Sequence, residues 1–583
     1  MKKYRSLALN VFVFLFLFVF LMIYSKFHFF CVEQNQLFQQ SWPFISEKLM
    51  QPGGFALVVA EYLVQFFIIP NAGALITALL LVLVGMLTNA IMKRIDLDNH
   101  WFLFACLPVL TLLFIHLDYN YIIQGTVAFI MMLSALYAVL GIRNINYRLT
   151  ASIILTVLLF VLAGPVFSLF AVSVILCEAV NRTPKWYYFL LTGLVALLLG
   201  ICSVYYSFIG EYRFAFLPDG YYHIRLQPDN VIYYSWLSLL LAILAAFVFR
   251  GRKVLSRKML VLADIAQLLI LVGLFWKGIE LYGDAKSYRL KIMDYYARME
   301  QWDKILDMCK KPMTNYLYIC HANMALAHKG LLADNAFKYD QRGLQGLAVT
   351  WNKSANVSTL LSDIYFTMGN VAIAQEMAFE SNIASLCDGN PRMVKRLIQT
   401  NLIYGAYPIA EKYISILENT AFYKDWAKEQ RKFLYNDVAV ESDPLLGGMR
   451  KGLLANNTLS QIDGFAMELK QMVDQNPSNK TAFQYLGVFY LLGKDMDGFK
   501  QFIETYYGTE FLPSLPVPYQ EAIITLSERE PDYWKRFGVS ESIVQRFADY
   551  KQQVLANRNN VNSLPGLMSR SYGDTYWYYF MFK

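Results

Sequence analysis

Charge is scarce where this chain is most apolar. The long hydrophobic stretches of the first 276 residues hold few ionisable side chains, chiefly Glu178 and Asp264. Charge at membrane depth normally marks an ion pathway, so this scarcity counts against an ion-coupled transporter. Catalytic signatures are missing too. No Gly-rich phosphate loop, HExxH, GxSxG or paired CxxC occurs, and the chemistry those motifs carry goes with them. No basic stretch interleaves with aromatics in the way that grips single-stranded nucleic acid, which removes nucleic acid as a partner. Seven cysteines (Cys31, Cys106, Cys177, Cys202, Cys309, Cys320 and Cys387) fit no zinc template, so no metal is assigned. They read as small buried side chains, with pairing of Cys309 and Cys320 left open. Beyond Gly278 no further run is long enough to cross a bilayer.

Present instead are nine apolar runs, at 7–24, 72–92, 102–116, 122–141, 150–165, 166–180, 187–206, 231–249 and 259–276. Crossing a hydrocarbon layer of ~30 Å takes about 20 helical residues. Several runs fall short, implying flanking aromatics or local thinning. Of the 18 Lys and Arg in residues 1–276, 14 lie in alternate gaps: Lys2/Lys3/Arg5, Lys93/Arg94, Arg143/Arg148, Arg182/Lys185 and Arg250/Arg252/Lys253/Arg257/Lys258. The other gaps hold Lys26, Lys48, Arg213 and Arg225. Positive loops stay cytoplasmic, so the N-terminus is expected inside. Residues 150–180 read as two spans broken at Gly164-Pro165, because a single span would put the 250–258 cluster outside. The expectation is an all-α protein of a bacterial inner membrane, with about nine spans in 1–277 and a periplasmic helical domain in 278–583.

The first run reads as an uncleaved span and not a signal peptide, since no small-x-small site follows it. Residues 55–70 place Glu61 and Gln65 four apart on one helical face, which suits a helix lying in the membrane interface. An extra span there would leave only Asn71 to turn the chain.

In the tail, Gly369 with Ala374 and Gly405 with Ala410 mark helix ends followed by close helix contacts; the two glycines lie 36 residues apart. Asn476-Pro477, Tyr485-Leu486-Gly487, Tyr490 and Phe499 resemble the tetratricopeptide consensus. Stacked repeats give a concave surface suited to a protein or extended ligand. The aromatic end, Tyr572 to Phe580, reads as a segment docking on its own domain.

Polar groups gather at the outer face. The first outer loop opens with Glu33, the second is His116-Leu117-Asp118-Tyr119-Asn120-Tyr121, and the fourth carries Arg213, Asp219, His223, Arg225 and Asp229. Such a set could hold a metal or a phosphate headgroup, or simply form a solvated rim.

A first span, a long outer loop with an acidic residue, an interfacial helix, further spans and a soluble tail resemble the C-type glycosyltransferases in architecture. The resemblance implies a polyprenyl-phosphate-linked sugar donor, with Glu33 and Asp118 at the positions of the acid–base carboxylates. A carboxylate takes the acceptor proton while cations neutralise the leaving phosphate. Arg213, His223 and Arg225 are the candidates for substrate contact, although no motif of that family assigns them. The family's acidic pair is here Glu33-Gln34, with one carboxylate. Through Glu33 to Phe38, Gln51-Pro52-Gly53-Gly54 and His116 to Tyr121, the whole chain resembles an uncharacterised bacterial family of polytopic membrane proteins with helical-repeat tails. Three classes follow: sugar transfer, a membrane-anchored scaffold for envelope partners, and a transporter or flippase. The last needs an internal symmetry between span sets, and none is visible.

Overall fold

The computed structural model describes residues 2–97, 101–249, 257–311, 313, 315–454, 464–476, 478–559 and 562–583. Arg250, Arg252 and Lys253 of the expected basic cluster, and Pro477 of the repeat signature, lie outside them. Among the described residues the chain is helical throughout, with three isolated bridges and no strand. It divides into two units. The first comprises Met1–Tyr288 with the short segments Leu386–Asp388 and Asn419–Phe422; the second comprises Arg289–Ser385, Gly389–Glu418 and Tyr423–Lys583.

In the first unit five helices are long and apolar enough to cross a membrane, not nine: Ala72–Arg94, Ile145–Ala163, Trp186–Tyr205, Val231–Phe249 and Lys258–Tyr282. The first run forms Asn10–Tyr24, which bends by 75° into Lys26–Gln34 and makes a sixth if the pair is one span. The correction has a geometric cause. Phe102–Ile115, Gln124–Leu140 and Val166–Val180 have 14, 17 and 15 residues. At about 1.5 Å per residue they reach roughly 21 to 26 Å, short of the ~30 Å hydrocarbon layer. Large apolar side chains such as Leu79, Ile154, Leu198, Phe247 and Leu269 stand exposed on the long helices, a surface that water alone does not favour.

The core of this unit is built from Ala78, Leu81, Phe129, Met132, Phe170 and Val174. Glu178 is fully buried and paired with Arg148, whose Nη2 donates to Oε2 at 2.9 Å. The 55–70 segment is the helix Gly54–Val64 continued by a single turn, Gln65–Ile68. Its polar face, Glu61 and Gln65, points inward, and Phe55 and Tyr62 stand exposed.

The second unit packs Ala355–Met368, Val371–Ile383, Pro391–Ile403 and Tyr407–Glu418 each on the next. Gly369 ends the first of these at φ +94° and Gly405 follows the third at φ +72°, conformations that cost glycine nothing. Asn390 caps Pro391–Ile403, accepting from Arg392 N at 3.0 Å and Met393 N at 3.2 Å. Ala374 and Ala410 are fully buried. Further on, Lys424–Gln430, Asp437–Ser442 and Pro444–Lys451 are short. The terminal helix Tyr576–Phe582 docks within its own unit: Trp577 Nε1 donates to the Glu521 carbonyl at 2.9 Å and Tyr579 to the Leu492 carbonyl at 2.7 Å. All seven cysteines are free thiols, and Cys309 and Cys320 each face a backbone carbonyl, of Tyr318 and Gln345 respectively.

Candidate functional site

The expected outer loops of the first unit meet one another. Ile122 N donates to the Tyr221 carbonyl at 2.9 Å and His223 N to the Asn120 carbonyl at 3.1 Å, flanking a bridge between Tyr121 and Tyr222. Asp118 sits at the centre of this pairing. Its Oδ1 accepts from Asn120 N at 2.9 Å and Asn120 Nδ2 at 3.0 Å, and its Oδ2 accepts from the Tyr222 hydroxyl at 2.5 Å. Burial, and then the Asp118 charge, push the Tyr222 phenol well above its ordinary value.

The break between the Ile145–Ala163 and Val166–Val180 helices joins the same cluster. The Tyr221 hydroxyl donates to the Ala163 carbonyl at 2.7 Å and accepts from Val166 N at 3.1 Å. Gly53 precedes the Gly54–Val64 helix at φ +82°; its N donates to the Val161 carbonyl at 2.9 Å, and its own carbonyl accepts from Gln124 Nε2 at 3.0 Å. A Cβ on Gly53 would lie 3.1 Å from Gly164 Cα.

Glu33 is buried near the end of Lys26–Gln34. In the second loop the Tyr119 phenol is pushed up to about 12, by burial first and then by Cys31, Asp118 and Asp284. Asp118 and His223 therefore come together on the paired loops. Arg213 is occupied by Glu211, Nε to Oε2 at 2.7 Å, at the exposed edge. His223 Nδ1 accepts from the backbone N of Arg225 at 3.2 Å, and the Arg225 side chain is exposed. Asp219 accepts from the Tyr233 hydroxyl at 2.8 Å while its other oxygen is buried without a hydrogen bond.

Sequence reasoning missed a second buried ionic group of this unit. Lys48 Nζ lies 2.9 Å from Glu61 Oε1 and 2.5 Å from Asp388 Oδ2. Two carboxylates thus share one ammonium. Burial pushes the Glu61 carboxyl up to about 8; Lys48 opposes that and Asp388 adds to it. Burial works against the Lys48 ammonium, but the two carboxylates outweigh it and hold Lys48 above its ordinary value. The segment carrying Asp388 is held by its backbone: Leu37 N donates to the Cys387 carbonyl and Leu386 N to the Asn35 carbonyl, each at 3.0 Å. Chemically, the first group sets two carboxyl groups against one amine, and the Asp118 side chain is held in a fixed direction by Asn120 and Tyr222. Among the described residues no group of three or more His, Cys, Asp and Glu gathers to hold a metal ion.

The family model described as "Family of unknown function (DUF6057)" matches residues 2–583. The chain belongs to DUF6057. No curated protein and no solved structure matches it. Membership in DUF6057 spans both units and brings no reaction with it.

Proposed function

We propose that this DUF6057 protein is a multi-span protein of a bacterial inner membrane that transfers a sugar from a polyprenyl-phosphate carrier at the outer face. In this reading the three short apolar helices also cross, in a locally thinned or tilted arrangement, which restores nine crossings and puts the second unit in the periplasm. That unit acts as a tetratricopeptide-like solenoid presenting the acceptor or an envelope partner.

The observation that supports sugar transfer is the fold of the first outer loop. It forms helices between the first two long apolar helices, with Glu33 buried at the end of the first of them. Glu33 is then the group that takes the acceptor proton. Arg213, His223 and Arg225 are then the groups that meet the leaving phosphate.

A second reading, a membrane-anchored scaffold without catalysis, is favoured by one fact. Both oxygens of Asp118 are already engaged in holding two loops together, as a structural pin would be. One comparison separates the two: Glu33→Gln in cells, with surface glycans and lipid-linked sugars measured against protein abundance. Loss of a glycan, with accumulation of its lipid-linked donor at normal abundance, is the expected result. Unchanged glycans would leave the scaffold.

A further inference from the structure

The helix Trp186–Tyr205 carries aromatic rings at its two ends. Trp186, Tyr187 and Tyr188 stand exposed at one end, Tyr205 and Tyr206 at the other. The large exposed side chains between them are five leucines, Leu190 to Leu198, and Ile201. Aromatic rings gather at the two rims of a bilayer, with aliphatic side chains between. From Tyr188 to Tyr205 the chain rises by about 26 Å, close to the ~30 Å of the hydrocarbon layer. On the reading of the first unit as membrane-spanning, one rim of the lipid therefore falls at Tyr205.

The chain does not turn polar at that rim. Tyr206, Phe208, Tyr212, Leu217, Ile224 and Leu226 are all exposed. Phe208 is 72% exposed and Ile224 70%, whereas the five leucines of the helix reach at most 53%. Single exposed apolar side chains are ordinary, but a series that runs on directly from a lipid-facing helix is not. The backbone at the turn is closed on itself. Ser207 adopts φ +59°, and the N–H groups of Phe208 and Ile209 both donate to the Ser203 carbonyl, at 2.9 and 3.1 Å. A helix end that leaves few polar groups open suits a layer poor in water. Charge supplies no pull of its own, because Glu211 and Asp229 cancel Arg213 and Arg225. Arg213 lies 2.7 Å from Glu211, with its guanidinium 4.5 Å over the Phe214 ring.

We propose that residues 206–226 lie in the interfacial layer of one bilayer leaflet, with the phospholipid surface as the partner that Phe208 and Ile224 enter. The proposal rests on the membrane-spanning reading of the first unit and gives its site a depth. Tyr222 belongs to this segment, so its pairing with Asp118 stands at the level of the headgroups. An amphiphile whose polar group lies in that leaflet then reaches Arg213 and Arg225 sideways, without leaving the lipid.

The test uses the full-length protein in phosphatidylcholine nanodiscs; no anionic lipid is needed, since the exposed charges cancel. Two photoreactive phosphatidylcholines are added in turn, one with a diazirine midway along an acyl chain and one with it next to the glycerol. Peptide mass spectrometry locates the adducts after illumination. The expected result is label on residues 190–201 from the first lipid and on 206–226 from the second. Replacing both Phe208→Ser and Ile224→Ser should cut the second label several-fold and leave the first unchanged. Both side chains are exposed, so the fold loses little by it. Label on 190–201 with none on 206–226 overturns the proposal and leaves the membrane-spanning reading standing. Absence of label from both segments overturns the two together. A label on 206–226 that survives the double substitution also overturns the proposal, because those side chains would not be what holds the segment at the lipid.

Discussion

The Tyr222 hydroxyl donates to Asp118 at 2.5 Å across 104 residues of sequence. This contact joins the 116–121 loop to the segment around residue 222. Tyr222→Phe keeps the ring and removes one bond to a charged acceptor, so it should cost about 1.5 kcal/mol. Asp118→Asn should cost a comparable amount, and the double variant less than the sum of the two, because both remove the same contact. Thermal unfolding in detergent reads all three; simple additivity would mean that the loops are held some other way.

At Lys48 the two substitutions to compare differ in what they leave behind. Lys48→Met strands Glu61 and Asp388 together with no cation, and breaking a buried pair in this way costs about 3–5 kcal/mol. Glu61→Gln leaves Lys48 with Asp388 and should fall within about 1 kcal/mol of the parent. Equal losses would contradict the shared-ammonium arrangement.

Glu521 gives a pH dependence whose direction is fixed. Burial raises its carboxyl from the ordinary value of 4.5 to about 8, while its Oε2 accepts from Tyr576 N at 2.7 Å. The folded state therefore binds the proton more tightly than the unfolded state does. The stability this contributes is full below about 4.5 and is lost as pH rises through about 8. Hydrogen exchange at the 576–582 amides, corrected for intrinsic rates, should become less protected over that interval. Glu521→Gln should flatten the trend.

Gly487 and Gly566 make opposite predictions from the same substitution. A Cβ at Gly487 would meet the Tyr519 hydroxyl at 1.9 Å, and Tyr519 is buried. Overpacking of about 1–3 kcal/mol then outweighs the ~1 kcal/mol that alanine gains in a helix. At Gly566 nothing lies within 4 Å, so alanine should stabilise by up to ~1 kcal/mol. Melting temperatures that move in the same direction for both would refute the close-approach argument.

Much of the helix pattern was legible in sequence because apolar runs and their breaks are local signals. A helix over 55–70 with Glu61 and Gln65 on one face, the interruption at Gly164-Pro165, the glycine stops at 369 and 405 and the docking of the aromatic terminus all follow from residues close together in the chain; the burial of Glu61 and Gln65 does not. The number of long helices did not follow, since hydrophobicity does not say where a helix ends. The site was harder for the same reason. Lys48 and Asp388 lie 340 residues apart, and nothing near either announces the other.

One consequence of the Tyr221 hydroxyl concerns mechanics. At the Gly164-Pro165 break it takes the place of a missing turn, closing a carbonyl on one side and an amide on the other. The hinge is therefore latched by a side chain borrowed from the fourth loop. Anything that draws Tyr221 away would leave the Ala163 carbonyl and the Val166 amide without this partner.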